Sequence, residues 1–127
     1  MSWQYYNPNP ATQRSNAGDC VIRAISKVFN CSWERAYAEL TVQGFKMGDW
    51  GNANDVWDAY LRQCGFQRKV IPNTCPDCYT VKDFCYDYNI GQYILATGSH
   101  VVAVINGDYY DSWDSGNEVP IYFYERI

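Results

Sequence analysis

The dipeptide Asn106-Gly107 lies between two β-rich runs, HVVAVI (100–105) and DYYDSW (108–113). Asn-Gly tolerates the positive φ angles of a two-residue hairpin turn, and such a turn twists in the sense that the flanking strands require. It also fixes the register. Ile105 faces Asp108, Val102 faces Asp111 and His100 faces Trp113. Because side chains alternate along a strand, His100, Val102, Asp111 and Trp113 share one face of the ladder, with Asp111 the diagonal neighbour of His100. Asp114 falls on the other face.

The rest of the chain supplies elements for this hairpin to pack against. At 127 residues it is expected to form one domain, long enough to bury a core. Residues 1–18, with Asn-Pro twice, read as an extended N-terminal arm. A helix beginning near Asp19 carries the apolar stripe Val21, Ile22, Ile25, Val28 and Phe29. Ser32 caps a second helix with Trp33, Ala36, Tyr37 and Leu40, for which Gly44 is the expected stop. After the glycine-rich loop 44–54, a third helix carries Val56, Trp57, Tyr60, Leu61 and Cys64 and ends at Gly65. Phe66–Ile71 reads as a short strand, and PNTCPDC (72–78) as a turn. Thr80 and Asp83 form a capping box for a short helix carrying Val81, Phe84, Cys85 and Tyr88. From Gln92 on, QYILAT, HVVAVI, DYYDSW and PIYFYER read as a strand meander. N-terminal helices followed by a small antiparallel sheet give an α+β class.

The segment GDCVIRAISKV places Cys20 in the first turn of a helix, where the dipole and the N–H groups of that turn favour a thiolate. Asp19 opposes this unless its carboxylate is engaged in capping. His100 is the single histidine of the chain and stands at the start of a strand. With Asp111 brought beside it by the hairpin, the three roles of thiol-based acyl transfer are filled. Cys20 attacks a carbonyl, His100 takes and returns a proton, and Asp111 orients the imidazole. Trp113 is placed to shield the His100–Asp111 contact from water. Backbone N–H groups at the helix start, including that of Cys20, are suited to stabilising an oxyanion.

At these residues the chain resembles the papain-like superfamily of cysteine peptidases, in which the nucleophile opens a helix and the histidine begins a later strand. Asp111-Ser112-Trp113 is similar to the Asn-Ser-Trp element of papain-type enzymes, whose tryptophan covers the His–Asn hydrogen bond. The segment Gly18–Ile25 (GDCVIRAI) is similar to the Asp-Gly-X-Cys-Leu-Phe-Arg-Ala nucleophile motif of ovarian-tumour deubiquitinases. The overall pattern is also similar to short papain-fold proteins of phages and gut bacteria. The resemblance implies a papain-like fold and a thiol peptidase or isopeptidase acting on a peptide or protein substrate. Papain-type enzymes carry an oxyanion glutamine six residues before the cysteine. Here that position is Arg14, and Gln13 and Asn16 are the nearest substitutes. The deubiquitinase aspartate position is Ala17. The alternative is a non-catalytic papain-fold protein that holds a protein or small-molecule partner in an aromatic cleft.

Other features argue against competing functions. Net charge is −4 with no basic run, so nucleic acid is not the expected partner. No apolar stretch approaches the roughly 20 residues that span a bilayer, and the opening MSWQYYNPNP lacks the pattern of a secretion signal, so the expected location is cytoplasmic. The six cysteines are then thiols. Cys75 and Cys78 form a CxxC without a second matching pair, and Cys64 and Cys85 fall on apolar helix stripes, so no metal is expected. The acidic cluster Asp108, Asp111, Asp114 and Glu118 reads as a solvated strand end. No cofactor is called for.

Overall fold

The computed structural model describes residues 2–11, 18–71 and 79–127. The elements within them are, in chain order, β1 (Trp3–Tyr5), α1 (Cys20–Val28), α2 (Trp33–Met47), α3 (Asn54–Gln63), β2 (Phe66–Val70), α4 (Val81–Asp87), β3 (Gln92–Ala96), β4 (Val101–Ile105), β5 (Asp108–Asp111) and β6 (Tyr122–Arg126). This is an α+β architecture. The turn at 72–78 falls outside the described residues. None of the helices within them is long and apolar enough to cross a membrane.

The sheet is mixed, which corrects the antiparallel expectation. Its strand order is β1-β5-β4-β3-β6-β2. β1 comes from the segment read as an arm and pairs in parallel with β5, Tyr5 opposite Asp111, while the other pairings are antiparallel. The last strands are not a simple meander either. With the outer edge of β5 taken by β1, β6 crosses to lie between β3 and β2.

The hairpin keeps the register its turn dictates, with Ile105 opposite Asp108 and Ala103 opposite Tyr110. Asn106 and Gly107 both have positive φ, 50° and 83°, as a type I′ turn requires. β3 and β4 are apolar at nearly every position because both faces of the sheet are covered. On one face Ile94, Ala96, Val101, Ala103 and Tyr124 meet α1, α2 and α3. On the other, Leu95, Val102, Val104, Tyr109 and Phe123 meet α4. Small residues on the first face let α1 sit close to β4, which sets how near Cys20 comes to the start of that strand.

Local signals explain most helix ends. Ser32 caps α2 by accepting from the Arg35 N–H at 3.1 Å. Thr80 and Asp83 form the reciprocal capping box of α4. Gly44 does not stop α2, which continues to Met47 and ends at Gly48 in the left-handed conformation, φ 73°. Gly44 is needed for close approach instead: a Cβ there would lie 2.6 Å from the Asp49 carbonyl oxygen of the returning loop.

The fully buried Ala103 tests the seating of α1. Ala103→Leu is expected to destabilise the protein by about 1–3 kcal/mol through overpacking, read as a lower midpoint in urea unfolding. A neutral result would mean that α1 does not rest on β4 at this distance.

Candidate functional site

Cys20 is the first residue of α1, His100 immediately precedes β4, and Asp111 is the last residue of β5. All three emerge at one end of the sheet. His100 is held by a turn in which its N–H donates to the Thr97 hydroxyl (3.0 Å) and its carbonyl accepts from the Thr97 N–H (2.8 Å). Its Nε2 bonds the Asp111 Oδ2 at 2.5 Å. The other ring nitrogen, Nδ1, is left for Cys20, whose thiol is hydrogen-bonded to His100. The paired ladder stops at Ala103–Tyr110, so this contact is made just beyond it.

Asp111 is 1% exposed, and its carboxylate is saturated. Besides His100 it accepts from the Ser115 hydroxyl at 2.7 Å, the Ser112 N–H at 2.8 Å and Arg23 Nη2 at 3.1 Å. Its main-chain carbonyl accepts from the Tyr6 N–H at 2.8 Å and from the Trp3 indole at 3.1 Å, so the N-terminal segment fixes its backbone. Trp113 lies against the His100 ring, centroids 4.9 Å apart, with 44% of its own surface exposed. Asp114 is engaged elsewhere, accepting from the Tyr109 hydroxyl and the Gly116 N–H.

Arg23 was not anticipated as a site residue. It is buried and bridges two carboxylates, Asp111 through Nη2 and Asp19 through Nη1. Asp19 also accepts from Asn9 Nδ2 (3.0 Å) and the Trp33 indole (2.9 Å), and makes no side-chain cap to α1. The charge next to Cys20 is therefore neutralised by a cation and not by capping. A usable sequence signal existed: an arginine inside VIRAIS, a stretch too apolar to leave it a solvated face, must find buried partners.

The electrostatics match this wiring. Burial disfavours the Cys20 thiolate, but the hydrogen bond to His100, the charge of that ring, the Val101 N–H and Arg23 together hold the thiol below its ordinary range. Burial likewise opposes the imidazolium, yet bonds to Asp111 and Cys20 raise His100 to about 9. Asp111 stays ionised against its burial because His100, Ser115 and Ser112 stabilise the anion. Burial pushes Cys31 up, and Cys85 to about 12. Cys20 thus differs in sign from both.

A cleft of about 270 Å3 opens over Cys20 and His100 and is lined also by Asn52, Asn54, Ser99 and Tyr122. Gln13 and Asn16, the oxyanion candidates, lie outside the described residues, as do Cys75 and Cys78. The Asn54 carbonyl accepts from the Trp57 indole, which leaves its amide N–H groups as donors for the cleft. Among the described residues no three His, Cys, Asp or Glu side chains are grouped to hold a metal ion. No family model, curated protein or solved structure matches the chain.

Removing Arg23 strands two buried carboxylates. Arg23→Met is expected to cost about 3–5 kcal/mol of folding stability, measured by urea unfolding. Arg23→Lys should recover only part of this loss, because an ammonium lacks the planar fork that reaches both partners.

Proposed function

We propose that the chain is a thiol hydrolase of peptide-like bonds, built on a papain-like frame, with Cys20 as nucleophile, His100 as acid–base and Asp111 as the group that orients the ring. The observation that carries this reading is the continuous hydrogen-bonded line from Cys20 through His100 to the buried Asp111. The Cys20 sulfur attacks the substrate carbonyl carbon, and the resulting oxyanion is met by N–H donors of the first turn of α1. His100, protonated before attack, gives its proton to the leaving nitrogen as the C–N bond breaks and a thioester forms. Neutral His100 then takes a proton from water, the hydroxide displaces sulfur, and the acid product leaves with the Cys20–His100 pair restored.

A second reading, a binding protein that performs no turnover, is favoured by the aromatic groove next to the cleft. It is the one to adopt if Cys20→Ala retains a peptide partner that the wild type never cleaves.

The pair has a pH signature. Thiolate is lost as pH falls through the lowered Cys20 value, and the acid needed for leaving-group protonation is lost as pH rises through about 9 at His100. Peptide turnover should therefore be bell-shaped, with its upper limb near that value. Iodoacetamide should alkylate Cys20 in preference to Cys31 and Cys85 at neutral pH, read by peptide mass spectrometry. In His100→Ala, burial acts with its largest opposing causes removed, so the alkylation midpoint should rise. Equal labelling of these cysteines, or an unshifted midpoint in His100→Ala, would sink the reading.

A further inference from the structure

The two oxygens of the Asp111 carboxylate have different partners. Oδ1 accepts from Arg23 Nη2 at 3.1 Å and from the Ser112 N–H at 2.8 Å, which tie the group to α1 and to its own turn. Oδ2 accepts from His100 Nε2 at 2.5 Å and from the Ser115 hydroxyl at 2.7 Å. Building on the hydrolase reading of this site, we propose that Ser115 is a positioning residue of the proton relay. Its hydroxyl shares Oδ2 with His100 and so limits how tightly the carboxylate holds the imidazolium. Asp111 orients the ring, and Ser115 sets how readily the ring gives its proton to the leaving nitrogen.

A donor to a carboxylate stabilises the anion and lowers its basicity, so an oxygen already bonded to a hydroxyl has less charge to offer an imidazolium. Ser115 is suited to this task in three ways. It is fully buried, so water does not compete for its hydroxyl, and a carboxylate only accepts, so the serine is the donor. Its turn is clamped to the start of α4, where the Val81 and Lys82 N–H groups donate to the Glu118 and Gly116 carbonyls at 2.9 and 3.1 Å. The Ser115 carbonyl itself accepts from the Glu118 N–H at 3.0 Å. Finally, none of residues 112–118 lines the cleft, so Ser115 acts through Asp111 and not on substrate. The other titratable groups around the His100–Asp111 pair are Cys20, Asp19 and Arg23 on α1, Tyr5 on β1, Tyr109 and Asp114 on β5 and its turn, and Lys82 on α4. Asp19 is bound to Arg23, and Asp114 to the Tyr109 hydroxyl and the Gly116 N–H. Among the described residues Oδ2 therefore has His100 and Ser115 as its donors.

The chain has one histidine, so its imidazole titrates as a single, unambiguous set of NMR signals. The full chain carrying Cys20→Ala, which takes the thiol out of the titration, is compared with and without Ser115→Ala. Loss of the hydroxyl should raise the His100 midpoint by at least about half a pH unit, roughly a threefold gain in proton affinity. A hydroxyl that only satisfied a buried charge would lower the urea midpoint and leave the imidazole midpoint unmoved. That result overturns the proposal, as does a fall in the imidazole midpoint. Should Ser115→Ala not fold, Ser115→Cys, whose thiol donates only weakly, replaces it with the same expected direction. Peptide turnover is scored separately with Cys20 intact, and its upper pH limb should rise with the imidazole midpoint. A shifted midpoint in a chain that cleaves no peptide overturns the hydrolase reading and leaves the hold of Ser115 on the relay standing. Turnover with an unshifted midpoint overturns the role of Ser115 alone.

Discussion

The buried carboxylate of Asp111 is the interaction on which the rest of this site depends. An ion with 1% exposure loses several kcal/mol of hydration, which only saturated, well-aligned partners offset. Here four partners come from three places: His100 ahead of β4, Arg23 in α1, and Ser112 and Ser115 in the turn after β5. The carbonyl of the same residue is held by Trp3 and Tyr6. Each segment that must meet at the site is thus tied to one residue. The N-terminal segment is further fastened to α1 by Tyr6–Ser26 (2.7 Å) and Asn9–Asp19. It acts as a strap joining the sheet edge to α1, which gives the parallel β1 a role beyond covering an edge.

Arg23 decides the electrostatics around that centre. Without it, Asp19 would place an uncompensated negative charge beside Cys20 and oppose the thiolate. With it, the two carboxylates share one guanidinium, and Arg23 itself helps lower the thiol. The proton that leaves sulfur goes to the adjacent ring, so the charge of the network as a whole does not change. The sign of the linkage follows. A raised His100 loses stabilisation as pH climbs through about 9, while a lowered Cys20 loses its contribution as pH falls through its own value. Where the windows overlap, the folded pair and the unfolded pair bind the same number of protons. Reactivity can then vary with pH while stability stays nearly level.

What could be read from the sequence follows from how local each determinant is. Asn106-Gly107 dictates its turn by backbone sterics alone, so the register and the choice of Asp111 were legible. The capped starts of α2 and α4 depend on a residue and its third neighbour, and were legible too. β1 was not. Its three residues are exposed, carry no alternation and precede two prolines, so only the open edge of β5 marks them as a strand. The placement of β6 against β3 is equally non-local. Gly44 misled because its lack of a side chain serves a loop folding back and not a helix end. The Arg23 bridge needed two elements already in place, although its charge amid apolar neighbours was visible.

The acidic excess and the aromatic excess of this chain are one phenomenon. A tyrosine packed against a core still requires an acceptor for its hydroxyl. Asp58 serves Tyr124, Asp87 serves Tyr79 and Asp114 serves Tyr109, while Asp19 accepts from the Trp33 indole. Several carboxylates are therefore acceptors within the fold, which is why a net charge of −4 need not imply an acidic binding face. The same economy selects the partner of His100 on physical grounds that the hairpin count did not use. Asp114 is bound to the hydroxyl of Tyr109 and to the Gly116 N–H, in a spot where a Cβ on Gly116 would collide with that hydroxyl. Asp111, one turn earlier and walled in by Arg23 and Ser115, is the carboxylate left facing the ring. An aromatic core has, in effect, removed the competing acid from the site.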